Sequence, residues 1–102
     1  MKIVWTESAL NQLKVVFDFY VENADSKIAH KIRRQILGAT KQLVSHPESG
    51  QIEPHLLNSK NQYRYLVIGH WKVIYRISEN QIVINDLFDA RQNPRRLKSR
   101  NR

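Results

Sequence analysis

The sequence predicts a two-layer α+β domain: an N-terminal strand, an antiparallel helical hairpin, then a three-stranded antiparallel meander, in the order β-α-α-β-β-β. Three observations carry this prediction. Apolar residues recur at three- and four-residue steps through two consecutive stretches between Thr6 and Leu43. Three runs between Gln62 and Arg91 are crowded with β-branched and aromatic residues. The runs are separated by Gly69-His70 and Glu79-Asn80, breaks short enough for hairpin turns.

The elements follow in order. Lys2–Trp5 is an apolar run long enough for one strand. Thr6 offers an N-cap oxygen, and Glu7 places an acid in the first helical turn, where the dipole favours it. Ala9, Leu10, Leu13, Val16, Phe17 and Tyr20 make the buried stripe of the first helix, with Asn11, Lys14 and Asp18 off it. Residues 23–26 read as a turn, with Asp25 or Ser26 capping a second helix. Its stripe is Ile28, Ala29, Ile32, Ile36, Ala39 and Leu43, and Lys27, Lys31, Arg34 and Lys41 lie on the other side. The residue before a proline is pushed out of helical geometry, so His46-Pro47 ends the helix. Gly38 costs about 1 kcal/mol relative to alanine inside a helix and marks either a close contact or a tolerated glycine. Residues 47–61, with two prolines and a glycine, read as loop throughout. A hairpin covers one face of the sheet, so the other face is expected to be partly open.

Parity assigns side chains to faces. A two-residue loop at Glu79-Asn80 pairs Ile77 with Ile82 and Tyr75 with Ile84. Trp71, Val73, Tyr75, Ile77, Ile82, Ile84 and Phe88 then share the core face, with Asp86 a misfit among them. Lys72, Ile74, Arg76, Val83 and Asn85 take the opposite face. A two-residue loop at Gly69-His70 puts Tyr63, Tyr65 and Val67 beside Lys72 and leaves Arg64 on the helix side. A three-residue loop centred on Gly69 exchanges the two sets, because one residue of slip reverses the faces. The second register gathers Arg64, Lys72 and Arg76 into one patch without burying Arg64, and it is the preferred reading.

At 102 residues the chain is one domain, large enough for a single core. The lack of cysteine excludes disulfides and thiolate metal sites. No apolar run has the length of a membrane span, and the N-terminus has no signal-peptide core, so a cytoplasmic protein without a membrane partner is expected. The net charge of +8 points to an anionic partner. Residues 90–102 hold six of the seventeen bases and none of the nine acids, leaving eleven bases against nine acids elsewhere. Residues 1–92 are therefore expected to form the folded unit and 93–102 a basic tail. There is no glycine-rich phosphate loop, serine nucleophile motif or metal-type His/Asp/Glu spacing, so no cofactor, metal or small-molecule substrate is expected.

The ordered set of WTESAL, the helix-ending HPESG, YRYLVIGHWKVIYRI and DLFDARQNPRRL resembles the RelE/ParE superfamily of toxins from type II toxin–antitoxin systems. The most specific parts are GHWKVIY and ARQNP. The resemblance implies a small bacterial protein that blocks growth unless a cognate antitoxin holds it. It also implies a division of targets: RelE-like members cut messenger RNA in the ribosome, and ParE-like members poison DNA gyrase. Carried over by position, Arg64, Lys72 and Arg91 match basic positions of the nuclease set, whereas Leu66 and Leu97 stand where a further base and a tyrosine would be.

Attack by a ribose 2′-hydroxyl needs a proton acceptor, a proton donor and cations around the phosphorane. Arg64, Lys72, Arg76 and Arg91 can bind phosphate, but arginine stays protonated and is a poor base. Lys72 could act as one only among like-charged neighbours. The expected target- or nucleic-acid-binding set is Arg64, Lys72, Arg76, Arg91, Arg95 and Arg96. The expected function is a ParE-like toxin that binds gyrase. The alternatives are a ribosome-dependent endoribonuclease using Arg64, Lys72 and Arg91, or a non-enzymatic nucleic-acid-binding module.

Overall fold

The computed structural model describes residues 1–57 and 60–91. Strand β1 (Lys2–Trp5) leads into helices α1 (Glu7–Asn23) and α2 (Ser26–Lys41). A short strand β2 (Gln51–Ile52) follows, then β3 (Arg64–Ile68), β4 (Trp71–Ser78) and β5 (Gln81–Asp89). The α+β class and the element order match the sequence reading, with one addition. The segment expected to be loop throughout contributes β2 and a 3₁₀ turn at Pro54–Leu56, so the sheet has five strands in the order β1-β5-β4-β3-β2. The two-residue β2 lies beyond the reach of periodicity, since alternation needs a longer run to register.

The helical hairpin carries the chain from β1 at one edge of the sheet to β2 at the other; β2 to β5 are antiparallel neighbours, and β5 returns to pair in parallel with β1. Thr6 caps α1: its hydroxyl accepts from the Ala9 N–H at 3.1 Å and donates to the Asn85 carbonyl at 3.3 Å. Asp25 caps α2 through the Ile28 N–H at 2.9 Å. Phe17 and His30 meet edge to face at 5.0 Å across the hairpin. The helical stripes hold in outline. Ala9, Leu13, Val16, Ala29, Ile36 and Leu43 are buried, but Leu10 and Ile28 are exposed at the margins of their stripes. Thr40 is buried instead, its hydroxyl donating to the Leu37 carbonyl at 2.8 Å. Nothing lies within 4 Å of a Cβ built on Gly38, so that glycine is tolerated and marks no close approach.

Two register details correct the assignment of faces. First, Tyr75 pairs with Ile84 and Ile77 with Ile82, as expected, but Ile74 pairs with Asp86, making Asn85 an extra residue in β5. This β-bulge reverses the parity of everything after it. Leu87, not Phe88, joins the helix-side core, while Asp86 and Phe88 turn to the opposite face, which removes the Asp86 misfit. The bulge is also where Thr6 fastens the start of α1 to the sheet, through the carbonyls of Ile84 and Asn85.

Second, Ile68 pairs with Trp71 and Val67 with Lys72, a two-residue loop at Gly69-His70. Gly69 takes a φ of +60°, the backbone that a glycine in the first central position of a tight hairpin supplies. The preferred three-residue loop is therefore wrong. Arg64 lies opposite Tyr75 on the helix side of the sheet, and Tyr65 and Val67 share the face of Lys72. That face is also less open than expected. Leu56 and Tyr63 pack on Ile74 as a second small core, and Val83, Asp86 and Phe88 are buried as well.

Candidate functional site

The β3–β4–β5 end of the sheet positions the cations that the sequence singles out, and the fold does not gather them. Arg64 sits on the helix side at the start of β3, where Nη1 donates to the carbonyls of Glu48 at 3.3 Å and Gly50 at 2.9 Å. Lys72 sits on the opposite face. The two are separated by about three residues along the paired strands, roughly 10 Å of extended chain. Arg64, Lys72 and Arg76 therefore do not form one patch.

Lys72 is occupied. Its Nζ lies 2.6 Å from Oε2 of Glu53, whose side chain is wholly buried, and 4.1 Å from the centroid of the Tyr65 ring. The other Glu53 oxygen accepts from the His55 N–H at 3.1 Å, capping the 3₁₀ turn, and the Glu53 N–H donates to the Tyr63 carbonyl at 2.9 Å. Tyr65 in turn donates from its hydroxyl to Oε1 of Gln51 at 2.8 Å. The nearest charge to Lys72 is thus a carboxylate, not the like-charged neighbour that a basic lysine would need.

The same loop is anchored on the helix side by Tyr75. Its hydroxyl accepts from the Gly50 N–H at 2.9 Å and donates to the Pro47 carbonyl at 2.8 Å. Burial raises the Tyr75 phenol above its ordinary range, with the Gly50 hydrogen bond opposing. Gly50 is required here, because a Cβ would stand 2.5 Å from the Tyr75 hydroxyl and 2.8 Å from the Tyr65 carbonyl oxygen.

Arg91 follows the end of β5 and is held in a fork by Asp89. Nε lies 2.9 Å from Oδ1 and Nη2 lies 2.7 Å from Oδ2, with the Arg91 backbone N–H also on Oδ1 at 2.9 Å. The Arg91 side-chain hydrogen bonds lower the Asp89 carboxyl to about 2. Arg76, half-buried opposite Val83, makes no ion pair with a described residue. Arg95 and Arg96, and Leu97 with them, lie outside the described residues.

Of the two counter-ions that the sequence reading missed, one was invisible in the residue pattern. Glu53 lies in an aperiodic loop nineteen positions before Lys72, and no local signal ties the two. Asp89 had a signal, an acid two residues before an arginine at a strand end, where a short fork can close. Among the described residues there is no cluster of three histidine or acidic side chains able to hold a metal ion.

A family model described as the ParE toxin of the type II toxin–antitoxin system parDE matches residues 3–94. The chain belongs to the ParE toxin family. A solved structure described as a chromosomal ParDE toxin–antitoxin system from P. aeruginosa shares its fold, with a TM-score of 0.72 and 22% identity over 87% of this chain and 95% of that one. No curated protein matches the chain.

This ParE-family chain leaves a contact surface beside its locked cations. Phe19 and Val15 of α1 are exposed by more than half, and they border a cleft of about 220 Å³ that reaches Trp71, Phe88 and the Asp89–Arg91 fork. Tyr20 forms one wall, edge to face with Trp71 at 6.2 Å. Among the described residues no helix is long and apolar enough to cross a membrane.

Proposed function

We propose that this ParE-family toxin arrests bacterial growth by binding DNA gyrase in the cytoplasm, and that a cognate antitoxin neutralises it. The observation that carries the choice of target is the dispersal of the cations an RNA-cleaving sheet would use. Arg64 is on the other face from Lys72, Lys72 is paired with buried Glu53, and Arg91 is paired with Asp89. Phosphoryl-transfer catalysis depends on charges converging on one phosphorane and on a positioned acid and base. A surface of separated, internally satisfied charges suits binding better. The net charge of +8 would speed capture of an antitoxin's acidic or amphipathic C-terminal segment lying across the hairpin and sheet. Apolar contacts at Phe19 and Val15 would set how slowly it leaves.

The test is supercoiling by purified gyrase. Stoichiometric toxin should abolish it, and prior mixing with the antitoxin encoded beside the gene should restore it. Unimpaired supercoiling at stoichiometric excess would sink the gyrase reading. If the protein instead left cuts in messenger RNA on translating ribosomes, and Lys72→Ala with Arg91→Ala removed them, the endoribonuclease reading would replace it.

A further inference from the structure

Helix α2 carries five bases, Lys27, Lys31, Arg33, Arg34 and Lys41, and no acid from Ser26 to Lys41. Four of them follow at steps of four, three and seven residues, so Lys27, Lys31, Arg34 and Lys41 form one stripe along the helix. The buried residues Ala29, Ile36 and Thr40 fall on the opposite side, and all four stripe residues are exposed. None forms an ion pair with a described residue. Helix α1 shows the usual alternative, with Lys14 paired to Asp18 at 2.6 Å one turn away.

Such a stripe works against its own helix. Lys27 and Lys31 repel at one-turn spacing. Lys27 also opposes the dipole in the first turn, where the carboxylate of the Asp25 cap offsets it in part. A solvated face that only serves solubility interleaves acids with bases and carries neither penalty. The charge therefore calls for an anion outside the fold. From Lys27 to Lys41 the stripe is about 21 Å long. That length of duplex axis presents about twelve phosphates. An acidic peptide would need carboxylates in register with the four cations, whereas a duplex offers closely spaced charge in any register. We propose that this stripe binds the phosphate backbone of duplex nucleic acid, without regard to base sequence.

The experiment is fluorescence anisotropy of a labelled duplex of arbitrary sequence with the full chain, between 50 and 200 mM salt. Compared with it are a helix variant (Lys27→Gln, Lys31→Gln, Arg34→Gln, Lys41→Gln) and a tail variant (Arg95→Gln, Arg96→Gln, Lys98→Gln, Arg100→Gln, Arg102→Gln). Glutamine is a good helix former and relieves the repulsion, so the helix variant should melt no lower than the parent. Four lost phosphate contacts should flatten the slope of log affinity against log salt by about 3–4. Over that salt range the parent should lose roughly a hundredfold more affinity than the helix variant. The tail variant should retain that share of the slope. A helix variant with parental affinity and slope overturns the proposal. So does a stripe that captures polyglutamate while leaving the duplex free, since its partner would then be an acidic protein segment.

Discussion

Replacing Lys72 by alanine should destabilise the fold by about 3 kcal/mol, because it leaves the Glu53 carboxylate buried without its counter-ion. Breaking a fully buried ion pair from one side costs about 3–5 kcal/mol. The Lys72 side chain keeps 15% of its exposure, so water reaches the pair and the lower end applies. The cation over the Tyr65 ring, worth about 0.5–1 kcal/mol, is lost within that total. For a chain of this size the melting temperature should fall by roughly 12–24 °C. Urea unfolding followed by circular dichroism measures the change, with the slope against denaturant held constant as the check on two-state behaviour. The double variant Lys72→Met/Glu53→Leu should recover most of the loss, since an apolar pair can replace a buried ionic one. It should remain about 1 kcal/mol below the parent for the lost cap on the His55 N–H. A Lys72→Ala protein within about 0.5 kcal/mol of the parent would show that the Glu53 carboxylate does not depend on Lys72. Glu53 would then be hydrated and Lys72 an available cation.

Other consequences are checked in the same way. Gly50→Ala should cost about 1–3 kcal/mol by overpacking against the Tyr75 hydroxyl and the Tyr65 carbonyl, and Tyr75→Phe about the same by stranding the buried Gly50 N–H; unchanged urea midpoints would contradict both. The Tyr75 phenol lies above its unfolded value of about 10, so its contribution is present below that pH and lost as pH rises through the folded value. The Asp89 carboxyl, lowered from 3.8 to about 2, contributes stability above its unfolded value that disappears as pH falls from about 4 toward 2. In an NMR titration Arg91→Gln should return Asp89 toward the ordinary carboxylate range, and a parental Asp89 already titrating near 4 would contradict the fork. Glu79 holds a φ of 53°, which a glycine adopts freely, so Glu79→Gly should stabilise the turn by at most about 1 kcal/mol after the added unfolded-state entropy; a lowered urea midpoint would contradict this.

The elements that repeat were readable from the residues, and the corrections came from single non-repeating events. Both helices, their caps and the pairing of Tyr75 with Ile84 follow from periodicity and turn chemistry. One extra residue, Asn85, exchanged the places of Leu87 and Phe88, because a bulge is a local choice that alternation cannot announce. The side of Arg64 hung on one residue of loop length. The preferred register weighed the cost of burying an arginine and missed that the Glu48 and Gly50 carbonyls satisfy it. Of the candidate site, the cations were all visible in the sequence. Their counter-ions were only half so: Asp89 is adjacent in the chain, while Glu53 meets Lys72 through tertiary folding alone.

On the proposed reading this ParE-family chain acts on gyrase by binding, with Lys72 a structural cation and not a chemical one. The most direct measurement compares gyrase supercoiling in the presence of the parent and of Lys72→Met/Glu53→Leu, each at equal folded concentration. The expected result is inhibition by both at the same stoichiometry. Full supercoiling in the presence of either protein is the opposing result: failure of the parent removes gyrase as the target, and failure of the variant alone returns Lys72 to the working surface.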